Sequence, residues 1–342
     1  MSKAKLLSKR FFDKWVLSSR GRLLVYLGFL CFFVWALFPF DWDPPRKLEN
    51  RAKFLSDGTL SFQEPGIYTS KGAHEWFPKV QAAGEFVVSM KVRSLALNQT
   101  GPARVLTFGI DHHLRNITLG QSEDSLSIVV RTKSDTGFAG PEYLVPGFFS
   151  DNAWREALIR VSSERIRVES LGEVIYDAPI DADGVVESWD PLYALSFGNE
   201  LTGKRPWLGE IAKVSVEVGS ESFDLLDSEK MELAPTYWSA RYGPRFISMV
   251  TTKLGPKLVL DYFSNFVCFI PLGFFVVLRC GSFLPIVRTI VLCGSVSLGV
   301  EVAQIFFAQS FPSIYDWILN TAGAAAGAIL GLRAYRDAIL AE

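Results

Sequence analysis

Two rhythms divide this chain. Toward its ends, apolar residues run on with almost no charge: Leu23–Phe40 first, then Leu258–Leu278, Ile286–Phe307 and Ile314–Leu332. Roughly 20 apolar residues in helical form cross a hydrocarbon core, so these four runs are predicted membrane spans. Between the first and second, the pattern shortens to apolar residues alternating with polar ones. "EFVVSMKVRS", "ARVLTFGI", "SLSIVVRT", "REALIRVSS", "RIRVES", "YALSFG" and "EIAKVSVEV" follow one another, punctuated by Gly, Asp, Asn and Pro. Such runs read as strands. No helix-period stretch of useful length interrupts them, and many short strands predict an all-β sandwich.

Charge sets the orientation. "MSKAKLLSKRFFDKWVLSSRGR" precedes the first span and is rich in Lys and Arg, which holds the N-terminus in the cytoplasm. Pro39, Asp41 and Trp42 follow that span, where a cleaved signal peptide would have a small-x-small site. An uncleaved anchor is the reading. Arg279 and Arg288 then fall in a cytoplasmic connection, and Arg333 and Arg336 at a cytoplasmic end. Arg241, Arg245, Lys253 and Lys257 cut the other way, but long translocated segments report orientation poorly. The expected order is a basic tail (1–22), a first span (23–40), an extracytoplasmic sandwich (41–228) and a juxtamembrane linker (229–257). Spans two to four (258–335) and a second cytoplasmic tail (336–342) complete it. "DPPRK" and "SEKMELAPTYWSARYGPRF" read as the linkers that bound the sandwich. The fold class is therefore a β-sandwich inserted into an all-α bundle of four transmembrane helices.

Bulk composition adds exclusions. The 342 residues are 49% hydrophobic with a net charge of −1, which argues against a nucleic-acid binder. Cys31, Cys268, Cys280 and Cys293 all lie in or beside apolar runs, with no disulfide framework or metal spacing. Asp111-His112-His113 suggests a metal only superficially, because adjacent strand residues point to opposite faces. Asn98-Gln99-Thr100 and Asn116-Ile117-Thr118 match the glycosylation sequon. Glu210 and Glu217 stand singly, whereas glycosidase chemistry needs two carboxylates about the scissile bond. No cofactor or metal is expected, and nothing in the sequence supports calcium on the sandwich.

Candidate chemistry sits in the apolar runs. Glu301 and Gln304 are three apart on one helix face, with Ser297 a turn before. Asp316 and Asn320 are four apart, as are Asp261 and Asn265. At 1.5 Å per residue Glu301 lies about 20 Å from the cytoplasmic side, and the other pairs begin spans that start outside. All six groups are expected at one height in the outer leaflet. An acid facing lipid costs a few kcal/mol, so a shared polar pocket is predicted. Gly323, Gly327 and Gly331 clear one stripe of the last span, and Pro271 and Gly273 thin the second; both favour close helix packing.

Two resemblances follow. The strand sequence from "EFVVSMKVRS" to "LSFGN…WLGEIAKVSV", with Trp207 and Gly209 leading into the last strand, resembles the laminin-G-like, concanavalin A-like jelly roll. That resemblance implies glycan, protein or calcium binding; the hydrolase branch's E-x-D-x-x-E run is missing here. "DYFSNFVCFIPLGF", "SVSLGVEVAQ" and "SFPSIYDWILNTAGAAAG" resemble the VanZ-like family of small integral-membrane proteins. Asp261, Asn265, Pro271, Gly273, Glu301, Gln304, Ser313, Asp316, Asn320, Gly323 and Gly327 sit where its pattern expects them. Ser310 departs, since members often carry arginine there; Arg241 or Arg245 is a candidate substitute. The family's namesake is associated with resistance to a glycopeptide antibiotic, and a bacterial inner membrane is implied.

Two function classes emerge. One is a non-catalytic envelope protein: the sandwich binds a glycan or an extracytoplasmic protein, and the polar pocket binds a membrane lipid or lipid-linked precursor. The other is a membrane enzyme acting on a lipid-linked sugar or phosphate, with Glu301 as base or ligand and Asp316 or Asp261 as partner. The sequence leaves oligomeric state open.

Overall fold

The computed structural model describes residues 19–72, 74–112, 114–132, 140–180, 184–239, 256–278, 284–307 and 312–339. It divides into two compact units: Pro45–Pro244, and Met1–Pro44 together with Arg245–Glu342.

Strict alternation makes the clearest strand of the first unit. β1 (Lys47–Glu49), β2 (Lys53–Phe54), β3 (Leu60–Phe62) and β4 (Tyr68–Ser70) come first in the chain. β5 (Phe86–Ser94) then buries every second residue along its length, as a strand with one face on a core must. β6 (Gln99–Gly109), β7 (Arg115–Glu123), β8 (Ser125–Val130), β9 (Glu142–Val145), β10 (Arg155–Val161), β11 (Arg165–Ser170) and β12 (Glu173–Pro179) follow. β13 (Leu195–Phe197), β14 (Gly209–Val218), β15 (Glu221–Asp224), β16 (Met231–Glu232) and β17 (Thr236–Trp238) complete the set. One antiparallel sheet runs β12-β11-β10-β5-β14-β3-β2, with β15 on β14; the other runs β16-β4-β13-β6-β7-β8-β9. β5 and β6 are consecutive yet lie in different sheets, as do β13 and β14, the crossing pattern of a jelly roll. Phe62, Val88, Val92, Phe108, Leu119, Ile128, Ile159, Phe197, Trp207 and Ile211 fill the space between the sheets.

Three expectations need correction here. A helix does interrupt the strands: Trp76–Ala83 buries Trp76, Phe77 and Val80 and ends on Gly84 in the left-handed region. Its eight residues and internal Pro78 gave too short a period to stand out. The predicted linkers carry strands, because β1 pairs with β17 and β16 with β4. Asp111 is a buried turn residue rather than a solvated strand end; its Oδ1 accepts the Leu114 N–H at 2.7 Å.

The second unit is helical. The sandwich helix Trp76–Ala83 being α2, the others are α1 (Ser19–Leu37), α3 (Pro256–Val277), α4 (Pro285–Gln304) and α5 (Ile314–Ile339). Gly323, Gly327 and Gly331 meet the carbonyls of Phe266, Ile270 and Phe274; an added Cβ would stand 2.1, 2.0 and 2.9 Å from them. The two sets increase together, so α3 and α5 run parallel. A Cβ added to Gly273 would likewise stand 2.0 Å from the Ala324 carbonyl. Phe32 of α1 meets Phe269 of α3 edge-on at 4.8 Å. α3 continues through Pro271.

The described helices form one packed group, but the four-span expectation narrows. Among the described residues, Pro285–Gln304 is the helix long and apolar enough to cross a membrane. Tyr26–Leu37 and Tyr262–Val277 are shorter apolar helices. α5 owes its lower hydropathy to its glycines and to Asp316, Asn320 and Thr321. Cys31 and Cys268 are exposed and Cys293 buried, all as free thiols.

Candidate functional site

α4 ends at Gln304 and α5 begins at Ile314, so the cluster starts at a helix junction. The first N–H groups of a helix have no intrahelical acceptor. Glu301 supplies one: its Oε2 accepts the Ser313 backbone N–H at 2.7 Å. Ser313 Oγ accepts the Asp316 N–H at 3.4 Å, so Ser313 and Asp316 occupy the first and last positions of an N-terminal S-x-x-acid cap. One turn further, Asn320 Nδ2 donates to Ser297 Oγ at 2.9 Å. Trp317 Nε1 donates to the Gly294 carbonyl at 3.0 Å. Positions 294, 297 and 301 of α4 meet 321, 320 and 313 in turn, so α4 runs antiparallel to α5.

All these side chains are inside. Ser297, Glu301, Ser313 and Asn320 keep no more than 3% of their surface. A buried carboxylate survives only with compensating contacts, and the N-terminus of a helix offers N–H groups and a favourable dipole. Glu301 stands at that end. By accepting the Ser313 N–H it organises the α4–α5 junction.

The remaining predicted residues distribute unevenly. Asn265 is buried, and the α3–α5 register sets it level with Asn320, since Tyr262 meets Tyr315 and Phe266 meets Gly323. Asp261 is helical, one turn before; its side chain lies outside the described residues, as do Ser310, Arg241 and Arg245. Gln304 is directed to a different helix: its Nε2 donates to the Ala36 carbonyl of α1 at 3.0 Å. The Oδ1 of Asn320 and the Oε1 of Gln304 are buried without a hydrogen-bond partner. A groove of about 280 Å³ between α4 and α5 is lined by Ile290, Trp317, Ile318, Thr321, Ala322 and Ala325. It is apolar apart from Thr321 and the Trp317 indole nitrogen. The acid–amide set does not line it.

The sandwich holds a second polar constellation that sequence reasoning missed. Arg104 and Glu200, each 1% exposed, form an ion pair at 3.3 Å. Glu200 Oε1 also accepts from Thr202 Oγ1 at 2.6 Å. Desolvation lowers the Arg104 pKa, and Glu200 opposes that. Arg115, 8% exposed, is pushed down to about 10 by burial and then by the charge of Arg104. The signal was available only as Arg in the middle of a strand-like run, which ordinarily marks a solvated face. Glu210, noted from sequence, is buried and held by Arg93 at 2.5 Å and by Ser61 at 3.3 Å. Asn116 is fully buried, with its side chain bonded to the Asp190 backbone on both sides, so that sequon is closed to modification. Asn98 is exposed.

No curated protein sequence matches the chain. Among solved structures, the sandwich region is similar to the Ruminococcus gnavus IT-sialidase CBM40 bound to alpha2,3 sialyllactose. The identity there is 14% and the TM-score 0.39, over 47% of this chain and 91% of that one. Botulinum neurotoxin type C, whose cell entry depends on two ganglioside molecules, matches at 10% identity and TM-score 0.35 over 51% of this chain. The chain spans 42% of that structure's length. Residues 211–335 match the VanZ/LLP1 family model. The C-terminal part of the chain is a VanZ-like domain.

Proposed function

We propose that the chain is a multi-pass protein of a bacterial cell membrane, with both termini cytoplasmic and the sandwich on the outer side, where it binds a saccharide. The carrying observation is the inversion of the helical unit. Leu23, Tyr26, Leu30, Trp35, Leu260 and Phe263 are more than half exposed, while Ser297, Glu301, Ser313 and Asn320 are buried. A water-soluble bundle would bury the first set and expose the second; lipid as solvent reverses the preference. All four helices span on this reading, α5 by virtue of its close packing on α3.

The polar cluster then lies at the end of the bundle where α3 and α5 begin, in the outer leaflet. The unpartnered oxygen of Asn320 supports its use as a docking point for a lipid headgroup or lipid-linked envelope precursor. Resistance to a glycopeptide would be one outcome of holding such a precursor. Catalysis by Glu301 and Asp316 on a lipid-linked sugar or phosphate is the second reading. The engagement of Glu301 with a backbone N–H favours positioning over proton transfer.

Gentle detergent extraction followed by mass spectrometry of co-purifying lipids tests this. A stoichiometric lipid, reduced in Asn320→Leu, is the expected result. Protein that purifies lipid-free and stays in the aqueous phase without detergent would defeat the membrane reading.

A further inference from the structure

One edge of β14 is shared by two strands. β5 takes the other edge from Gly209 to Glu217, so β3, opposite Gly209–Ile211, and β15, opposite Ser215–Val218, lie end to end. The chain enters β3 through the turn at Asp57 and Gly58, and leaves β15 through Leu226–Ser228. A groove of about 530 Å³ opens where these two segments part, lined by Phe54, Gly58, Asp224, Leu226, Asp227 and Ser228. Its volume is in the range of small-molecule sites. Phe54, Gly58, Asp224 and Ser228 are exposed, so the groove is reached from water. A Cβ at Gly58 would meet nothing within 4 Å, which leaves that wall as bare backbone beside open space.

The chemistry of the lining is one-sided. Asp224 Oδ1 accepts the Leu226 N–H and Asp227 Oδ1 the Glu229 N–H, both at 2.9 Å. The second oxygen of each makes no hydrogen bond, and among the described residues neither acid has a cation within ion-pairing distance. Lysines nearby are directed elsewhere. Lys71 Nζ donates to the Ser228 and Glu229 carbonyls at 3.0 and 3.4 Å, Lys230 pairs with Glu75 at 3.1 Å, and Lys53 donates to Gln63 at 3.3 Å. The two charges are felt at one place. Tyr68, whose hydroxyl donates to the Leu226 carbonyl at 3.1 Å, has its pKa pushed up to about 12 by burial and then by Asp227 and Asp224. Phe54 stands edge-on to that tyrosine at 5.3 Å and keeps 38% of its surface.

An aromatic ring beside two unpaired carboxylates selects its ligand by charge. An ammonium group is drawn by the carboxylates and by the ring alike. A like-charged, acidic sugar is repelled, and a neutral one leaves both charges unmatched. We infer that this groove is a binding site for an amino sugar, whose ammonium group meets Asp224 and Asp227 and whose apolar face lies on Phe54. The inference rests on the saccharide reading of the sandwich and adds the place and the class of sugar.

The test uses the full chain in nanodiscs of zwitterionic lipid at about pH 6, below the range of amine titration. It is titrated with matched oligomers of glucosamine, N-acetylglucosamine and glucose, and with ethanolamine. The glucosamine oligomer should bind at least roughly tenfold tighter than the other two oligomers, as expected for a charge-assisted contact, and the preference should shrink as salt is raised. Asp224→Asn with Asp227→Asn keeps both acceptors for the backbone N–H groups, so the melting temperature should hold while the preference disappears. Phe54→Leu should weaken all three oligomers and leave ethanolamine unaffected. Equal binding of the three oligomers would overturn the inference and leave the saccharide reading standing. Ethanolamine binding without any oligomer would overturn both. A double asparagine variant that is folded and still prefers the glucosamine oligomer would place the amine elsewhere and overturn the inference, as would the absence of binding by any of the four.

Discussion

Glu301 illustrates what helical spacing can and cannot say. Spacing put Glu301 and Gln304 on one face, and both are turned inward or toward a neighbouring helix. The donor that Glu301 meets, a backbone N–H twelve residues on, leaves no trace in a side-chain pattern. Glu301→Gln keeps an acceptor and should cost about 0.5–1 kcal/mol from the lost charge–dipole term. Glu301→Ala strands a buried N–H and should cost about 1–3 kcal/mol. Denaturant titration in detergent micelles reads the difference, and equal losses would deny the capping role. His74 offers a pH counterpart in the sandwich. Its ring packs against Trp76 and Phe108 at 5.3 and 5.4 Å, with Nε2 buried and unpartnered. Burial, then the charge of Lys230, lowers its pKa from 6.5 to about 4. The unfolded chain takes up a proton as pH falls through 6.5 and the folded one only near 4. Stability present above pH 6.5 is therefore lost progressively down to about pH 4. His74→Phe should flatten that part of a urea-midpoint profile; an unchanged slope would assign the acid sensitivity elsewhere.

Elements were legible in proportion to their length and to the one-sidedness of their burial. β5 and β10 alternate and were read from sequence almost to their ends. β1 to β4, β16 and β17 have two or three residues each, too few for any period to register. β6 and β7 hide their chemistry differently, because both of their faces are buried over much of their length. Polar residues there look like a solvated face when they are enclosed. The glycine stripe of α5 was visible, but its partner was not: the seam is backbone against backbone, and carbonyls carry no sequence signature. Gly327→Ala, whose Cβ would stand 2.0 Å from the Ile270 carbonyl, should force α3 and α5 apart at a cost of about 1–3 kcal/mol. Gly299→Ala in α4 meets nothing within 4 Å and should gain about 0.5–1 kcal/mol from helix propensity. Thermal unfolding of the two variants in one detergent checks the pair, and a shared direction of change would contradict the seam.

The whole molecule is two units, each with its own core. Residues 45–244 excised as a separate polypeptide should fold in water with cooperative thermal unfolding and a β-type circular dichroism spectrum. Loss of cooperativity would mean that the sandwich leans on the helices. Sequence pattern gave the division itself, since period and hydropathy change together there. It gave neither the sheet order nor the closure of the domain, which depend on pairings between residues far apart in the chain. One such pairing has a practical meaning. Lys47–Glu49 lies against Thr236–Trp238, so the polypeptide enters and leaves the sandwich through adjacent strands. A body of this size therefore asks no wider spacing of the segments that flank it than a tight hairpin would. A short flexible connector between residues 45 and 240 should leave the helices assembled, and a foreign domain with neighbouring ends should be accepted in its place.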